Sequence, residues 1–134
     1  MPKKILIVDD DVDVLLFLST LLQDHGYHTV QATDGQEGLE KAISEEPDLI
    51  LLDLMMPHKS GVALLSEFSE DDLLRRIPVI MVTGVTGETG ISAGSFFKYS
   101  DTPGDNQDRL RPAGFVEKPI DPAELLTLVR KVLE

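Results

Sequence analysis

Three short apolar runs, separated by longer amphipathic segments, are the feature that most limits the possible folds. They lie in KILIV (4–8), PDLILLD (47–53) and PVIMVT (78–83). Near-continuous apolar runs of this length are typical of parallel strands that are covered on both faces. YHTVQA (27–32) and GFVEK (114–118) are two weaker strand patterns. Five strands alternating with four or five helices predict a doubly wound α/β sheet with right-handed crossovers.

Helix boundaries can be read from capping residues. The first helix pattern follows the first strand, and Gly26 is suited to the left-handed stop after it. Asp34 with Glu37 three residues later, and Asp121 with Glu124, have the spacing of capping boxes at the starts of two further helices. The third helix along the chain is predicted to begin near Ser60.

Length and composition exclude several classes of function. The chain has 134 residues, no cysteine and a net charge of −12. We expect a single domain over residues 1–134 without an output domain, in a reducing cytoplasm, with no disulfide or thiolate metal site. No apolar stretch approaches the roughly 20 residues of a membrane helix, so no membrane insertion is expected. The negative charge argues against nucleic acid binding and favours metal cations or basic partner surfaces.

Polar side chains stand at the ends of the predicted strands. The first strand ends at Asp9 and Asp10, the third at Asp53, the fourth at Thr83 and the fifth at Lys118. In an open parallel sheet, ligands bind outside the carboxyl ends of the strands, so these groups should meet at one edge. Clustered carboxylates repel unless a cation lies among them, and a set of oxygen ligands without His or Cys indicates Mg²⁺.

The acids after the first strand have a simpler interpretation, in which they only cap the first helix. We accept that interpretation for Asp11. For Asp9 and Asp10 it is weaker, because it leaves the acid at Asp53 and the ammonium group of Lys118 unexplained.

Four motifs, ILIVDDD, LILLDLMMPHKSG, VIMVTG and FVEKP, occur in this order on alternating strands. The sequence from about Ile5 to Leu133 resembles the receiver domain of two-component response regulators. This resemblance implies a flavodoxin-like sheet with strand order 2-1-3-4-5. It also implies a signalling domain that assists its own phosphorylation and dephosphorylation but is not otherwise an enzyme. Only the interval between the fourth and fifth strands departs substantially and is expected to be altered or extended.

The resemblance assigns the phosphorylation chemistry to individual residues. It implies that Asp53 accepts a phosphoryl group from a sensor histidine kinase or a histidine phosphotransfer protein. Asp10 would bind Mg²⁺ or Mn²⁺ directly, and Asp9 would act through water or through contacts with the groups that bind the ion. Asp53 itself and the backbone carbonyl of Met55 complete the implied metal site, and Lys118 would pair with the phosphoryl group.

The resemblance also implies a switch. The Thr83 hydroxyl would bond to a phosphoryl oxygen, and an aromatic ring at Phe115 would move into the vacated space. Phe115 is equally compatible with a plain core role, and phenylalanine lacks the hydroxyl of the tyrosine that is frequent there in the family. A cis peptide is implied between Lys118 and Pro119. The downstream protein is unknown, and either a monomer or a phosphorylation-dependent dimer is compatible.

Two further expectations concern the loops. In the family, the residues two after the phosphoacceptor and two after the switch hydroxyl modulate hydrolysis. Here they are Met55 and Val85, and neither can orient an attacking water, which predicts slow self-dephosphorylation. The segment SFFKY (95–99) either replaces core contacts, the interpretation we favour, or forms a docking surface for one partner.

Three other functions remain as alternatives. A phosphatase of the haloacid dehalogenase type also begins with an apolar strand and a D-x-D pair, and would make Asp9 the nucleophile. A flavodoxin-like cofactor carrier shares the architecture, but no Gly-rich phosphate loop follows the first strand. An interaction module independent of phosphorylation would not require the full set of acids, hydroxyl and lysine.

Overall fold

The computed structural model describes residues 2–54, 61–83 and 113–134 of the chain. These residues form one parallel five-stranded sheet with the order β2-β1-β3-β4-β5. The fold class is therefore confirmed. The strands are β1 (Lys4–Val8), β2 (His28–Ala32), β3 (Leu49–Asp53), β4 (Val79–Thr83) and β5 (Gly114–Glu117).

Among the described residues, a helix follows each strand except β4, and the helices cover both faces of the sheet. They are α1 (Val12–Asp24), α2 (Gly35–Glu45), α3 (Gly61–Glu70) and α4 (Pro122–Leu133), with a 3₁₀ turn at Leu74–Arg76 before β4. The segment expected to be altered, between β4 and β5, lies outside the described residues apart from its two ends.

Each face of the sheet has its own hydrophobic core. The first core packs α1 and α4 against one face, and its buried side chains are Ile5, Ile7, Leu15, Leu18, Leu22, Leu49, Leu51, Ile80, Val82, Val116, Leu125, Leu126 and Val129. The second packs α2, α3 and the 3₁₀ turn against the other face, with Leu6, Val8, Ala32, Ala42, Ile50, Leu52, Leu64, Phe68, Leu74, Val79 and Met81. Since β1, β3 and β4 contribute to both cores, their near-continuous apolar sequence is explained.

The capping residues act where the sequence places them. Asp11 is the N-cap of α1 and accepts a hydrogen bond from the amide of Asp13, so its capping role is confirmed. Asp34 caps α2, and Asp121 caps α4. Gly26 follows α1 with φ of 88°, a left-handed conformation in which glycine has no steric penalty.

One detail of α2 differs from a capping box. The Glu37 side chain reaches back to the amide of Thr33, at 2.7 Å, one residue before the N-cap itself. The Asp34 side chain accepts from the amide of Glu37, and the Glu37 side chain accepts from the amide of Thr33. These two hydrogen bonds fix the direction of the chain between β2 and α2. Within the part of the chain that the structure describes, the helices are all too short or too polar to span a bilayer.

Candidate functional site

The carboxyl edge of the sheet holds the polar residues that the sequence indicates. Asp53 and Thr83 are the last residues of β3 and β4. Asp9 follows β1, and its amide donates to the carbonyl of Ala32 at 3.0 Å. Lys118 follows β5, and its amide donates to the carbonyl of Thr83 at 2.7 Å. The backbone at both flanking positions is thus held by bonds that extend the strand ladders.

Three carboxylates converge at this edge. One oxygen from each of Asp9, Asp10 and Asp53 lies within 4.8 Å of the other two. Asp9 is 1% exposed and Asp53 is 3% exposed, whereas Asp10 is exposed to solvent. The predicted convergence of these three side chains is therefore confirmed. Two buried carboxylates lie beside one that is exposed to solvent.

Lys118 provides the positive charge of the site. Its ammonium nitrogen lies 3.1 Å from Asp9 Oδ2 and 3.8 Å from Asp53 Oδ1. Burial would lower the pKa of Lys118, but the charges of Asp53 and Asp9, together with the hydrogen bond to Asp9, outweigh burial and raise that pKa. Lys118 is therefore cationic at neutral pH.

The two acids after β1 have different surroundings. Asp9 uses both carboxylate oxygens, since Oδ1 accepts from the amide of Asp11 at 2.9 Å while Oδ2 contacts Lys118. Among the described residues, Asp10 has no side-chain hydrogen bond or salt bridge. This difference is compatible with the expectation that Asp10 binds a metal ion directly and that Asp9 acts through water or through contacts with the groups that bind the ion.

The donor set fits a hard divalent cation. Three carboxylates with one ammonium leave negative charge in excess, and the cluster offers oxygen ligands only, as Mg²⁺ and Mn²⁺ prefer. Asp10 and Asp53 would hold such an ion, with Asp9 close enough to act through a bridging water. The predicted Met55 carbonyl ligand lies outside the described residues.

The Thr83 hydroxyl has an unusual environment. Thr83 is 1% exposed, and its Oγ1 has no hydrogen-bond partner within the described part of the chain. Buried hydroxyl groups are nearly always hydrogen-bonded, because an unmade bond costs free energy. Because it has no partner among the described residues, this hydroxyl is free to donate a hydrogen bond to a ligand or group added at the edge of the sheet that carries Asp53.

Phe115 lies on the same face of the sheet as Thr83. It pairs in register with Met81 on β4, and Thr83 follows Met81 by two residues, so all three side chains point to one face. Phe115 is half-buried against the core beneath α2 and α3. This position allows both a switch role and a core role for the ring.

The cis peptide expected between Lys118 and Pro119 is present. Val85 and the aromatic residues of SFFKY lie outside the described residues, as Met55 does, so the expectations placed on them stay predictions.

Sequence reasoning missed one contact. It assigned Lys118 to the phosphoryl group and Asp9 to the metal ion, but the shortest side-chain contact of the Lys118 ammonium group with these acids is to Asp9. No spacing in the sequence signals this pair, because the two residues come from strands that are not neighbours in the sheet.

Comparisons with known proteins agree on one family. The family model described as the response regulator receiver domain matches residues 5–94. The polar-differentiation response regulator DivK of Brucella anthropi is 31% identical over 136 residues, which cover 99% of this chain and 98% of that protein. Protein PilH of Pseudomonas aeruginosa is 31% identical over 130 residues and 97% of both chains. Chemotaxis protein CheY4 of Vibrio cholerae superposes with a TM-score of 0.81 at 28% identity, covering 99% of this chain and 100% of that structure.

Other relatives are longer. The alkaline phosphatase synthesis transcriptional regulatory protein PhoP of Bacillus subtilis is 32% identical over 99% of this chain, but the match covers only 49% of PhoP. The chain thus spans about half the length of some curated relatives and nearly all of others. The fold, the acidic edge and these matches show that the chain belongs to the response regulator receiver domains of two-component systems.

Proposed function

We propose that this receiver accepts a phosphoryl group on Asp53, in a reaction that depends on Mg²⁺, and signals by a change in partner binding through Thr83 and Phe115. The donor would be a phosphohistidine on a sensor kinase or on a phosphotransfer protein. The observation that supports the proposal most strongly is the placement of Asp53. Its buried carboxylate lies 3.8 Å from the Lys118 ammonium group and beside two further acids, at the edge of the sheet where ligands bind.

The transfer is a single displacement. A carboxylate oxygen of Asp53 attacks the phosphorus and the bond from phosphorus to the donor imidazole nitrogen breaks. The bonding pair stays on that nitrogen, and the imidazole, which already carries a proton on its other ring nitrogen, leaves as a neutral ring. The product is an acyl phosphate, a mixed anhydride of Asp53 and phosphate. No oxidant, reductant or additional reactant is needed.

Charge neutralisation is the main contribution that the chain can make to this step. Phosphoryl transfer depends on positioning and electrostatic stabilisation more than on covalent assistance. Lys118 lies 3.8 Å from the attacking carboxylate and remains cationic, so its ammonium group can donate to a phosphoryl oxygen. A bound Mg²⁺ would supply further positive charge against the same oxygens.

The switch would begin at Thr83. Its buried Oγ1 lacks a partner in the described structure, and a phosphoryl oxygen on Asp53 would supply one. Movement of Thr83 toward Asp53 would change the space next to Phe115, because both side chains lie on one face of adjacent strands. The face formed by β5 and its surroundings would then present a different surface to the downstream partner.

The test is phosphorylation of the purified protein. The wild type and Asp53→Asn are incubated with a small phosphodonor such as acetyl phosphate, with and without Mg²⁺, and the intact mass is measured. A gain of one phosphoryl group only by the wild type with Mg²⁺ supports the proposal. Transfer from a phosphorylated histidine phosphotransfer protein is the second arm, since some receivers react poorly with small donors. Absence of the adduct in both arms would refute the proposal.

A further inference from the structure

The outer side of β2 is a part of the sheet that the proposed function does not use. β2 is the first strand in the sheet order, so it pairs with β1 on one side and has no strand on the other. An edge strand of this kind presents backbone N–H and C=O groups that can pair with another chain, unless side chains or charges block them. The direction of these groups therefore decides whether a second chain can add a strand here.

Alternate residues of β2 turn their backbone groups outward. The amide of His28 donates to the carbonyl of Lys3 on the β1 side, and the carbonyl of Ala32 accepts a hydrogen bond from the same side. In a parallel pair, the ladder bonds involve every second residue of a strand. The register of β1 and β2 therefore leaves the N–H and C=O groups of Thr29 and Gln31 pointing away from the sheet.

The side chains of the same two residues are held by α1. Thr29 Oγ1 accepts a hydrogen bond from Gln23 Nε2 at 2.7 Å, and Gln31 Nε2 donates to the buried Ser19 Oγ at 2.6 Å. These bonds lie on one face of the sheet and fix the two side chains there. They do not cover the backbone at the edge, and Gln31 is exposed to solvent.

A lysine from the other face reaches this edge. Lys41 belongs to α2, which packs on the face of the sheet opposite α1. Its half-buried side chain donates from Nζ to the carbonyl oxygen of Gln31 at 2.5 Å. A hydrogen bond from an ammonium group is stronger than one between neutral groups, so one of the outward carbonyls of β2 is firmly occupied. Lysine is also a residue with which proteins block the edges of their sheets.

We propose that Lys41 closes this edge against β2 of a second copy of the chain. Two β2 strands related by a two-fold axis at Val30 would run antiparallel and pair Thr29 of one copy with Gln31 of the other. The Thr29 amide would then donate to the Gln31 carbonyl of the second copy, which is the same oxygen that Lys41 occupies. Lys41 thus competes directly with that amide, and pairing would also bring the two ammonium groups to one interface.

The test is the mass of Lys41→Met in solution, measured by sedimentation equilibrium without phosphodonor and in EDTA, so that it does not depend on phosphorylation. We expect the mass of this variant to rise toward twice that of the monomer as its concentration is raised, relative to the wild type. The substitution makes a chain of net charge −12 more negative, so weaker repulsion cannot explain association. Lys41→Ala should associate as well, and it keeps a good helix former without adding a large apolar side chain. Lys131→Met, at an exposed lysine of α4, is the matched control and should behave as the wild type.

A second substitution locates the association. Thr29→Pro removes an outward N–H and no bond to β1, and proline is tolerated at such positions of an edge strand. Added to Lys41→Met or Lys41→Ala, it should return the mass to that of the wild type. In the single Lys41 variants, hydrogen exchange at the Thr29 amide should slow at least about tenfold between low and high protein concentration. The proposal is wrong if both Lys41 variants keep the mass of the wild type, if Lys131→Met associates equally, or if Thr29→Pro leaves the association unchanged.

Discussion

The buried Thr83 hydroxyl has no hydrogen-bond partner among the described residues, and this leads to a prediction about the stability of the unphosphorylated protein. Leaving a buried hydrogen-bonding group unsatisfied costs about 1–3 kcal/mol. Valine has nearly the shape of threonine and favours a strand, so Thr83→Val removes this cost without opening a cavity. We expect the resting protein to gain about 1–2 kcal/mol in the free energy of unfolding. At about 4 °C per kcal/mol for a domain of this size, Tm would rise by about 4–8 °C.

Thr127→Val is the matched control for this substitution. Its hydroxyl donates to the carbonyl of Ala123 at 2.8 Å, and its side chain is exposed. We expect this variant to stay within about 0.5 kcal/mol of the wild type. Calorimetry and urea titration of the unphosphorylated, metal-free proteins measure both changes.

Two results would refute the reasoning about Thr83. The first is a Thr83→Val protein that is less stable than the wild type, which would mean that the hydroxyl is hydrogen-bonded in solution. The second is an equal gain from Thr127→Val, which would trace the effect to the valine side chain and not to the unmade bond. If the prediction holds, the resting state tolerates an unsatisfied hydroxyl that only the phosphorylated state can satisfy.

Three further predictions concern the rest of the molecule. Asp121→Ala removes the side-chain hydrogen bonds to two amides in the first turn of α4, and urea titration should show a loss of about 0.5–2 kcal/mol in the free energy of unfolding. Asp24→Ala is the control: Asp24 lies at the C-terminal end of α1, where an acid is unfavourable, so this variant should not be destabilised. Because the pKa of Lys118 is raised, its stabilising contribution should be complete below its ordinary value of 10.5 and should fall as the pH rises through the raised value. Stability that decreases between pH 7 and 9 in the wild type, but not in Lys118→Met, would contradict this. Met55→Asn or Val85→Glu should shorten the lifetime of the phosphorylated protein, measured by mass after donor removal, and unchanged lifetimes in both would contradict slow self-dephosphorylation.

Much of the fold could be predicted because local patterns agreed with one another. The apolar runs of β1, β3 and β4 require cover on both faces, and the caps at Asp11, Asp34 and Asp121 mark helix starts that the structure confirms. Parallel strands also place their carboxyl ends together, so the convergence of the acids followed from the strand pattern alone.

The contacts within the site could not be predicted in the same way. Side chains at the edge of a sheet are arranged by the twist and order of the strands, and a lysine can reach several carboxylates from one backbone position. The sequence therefore indicated that Lys118 and the acids would meet, but not that Asp9 would be the nearer carboxylate. Similarly, no sequence pattern shows that the Thr83 hydroxyl lacks a partner among the described residues, because this depends on the positions of its neighbours in the folded chain.

The most direct test of the account is to identify the phosphorylated residue chemically. An acyl phosphate on aspartate is reduced by borohydride to homoserine, and peptide mass mapping locates the converted residue. After phosphorylation in the presence of Mg²⁺, we expect homoserine at position 53 and at no other acid. Conversion at Asp9 would contradict it and would make Asp9 the nucleophile, as in the haloacid dehalogenase alternative.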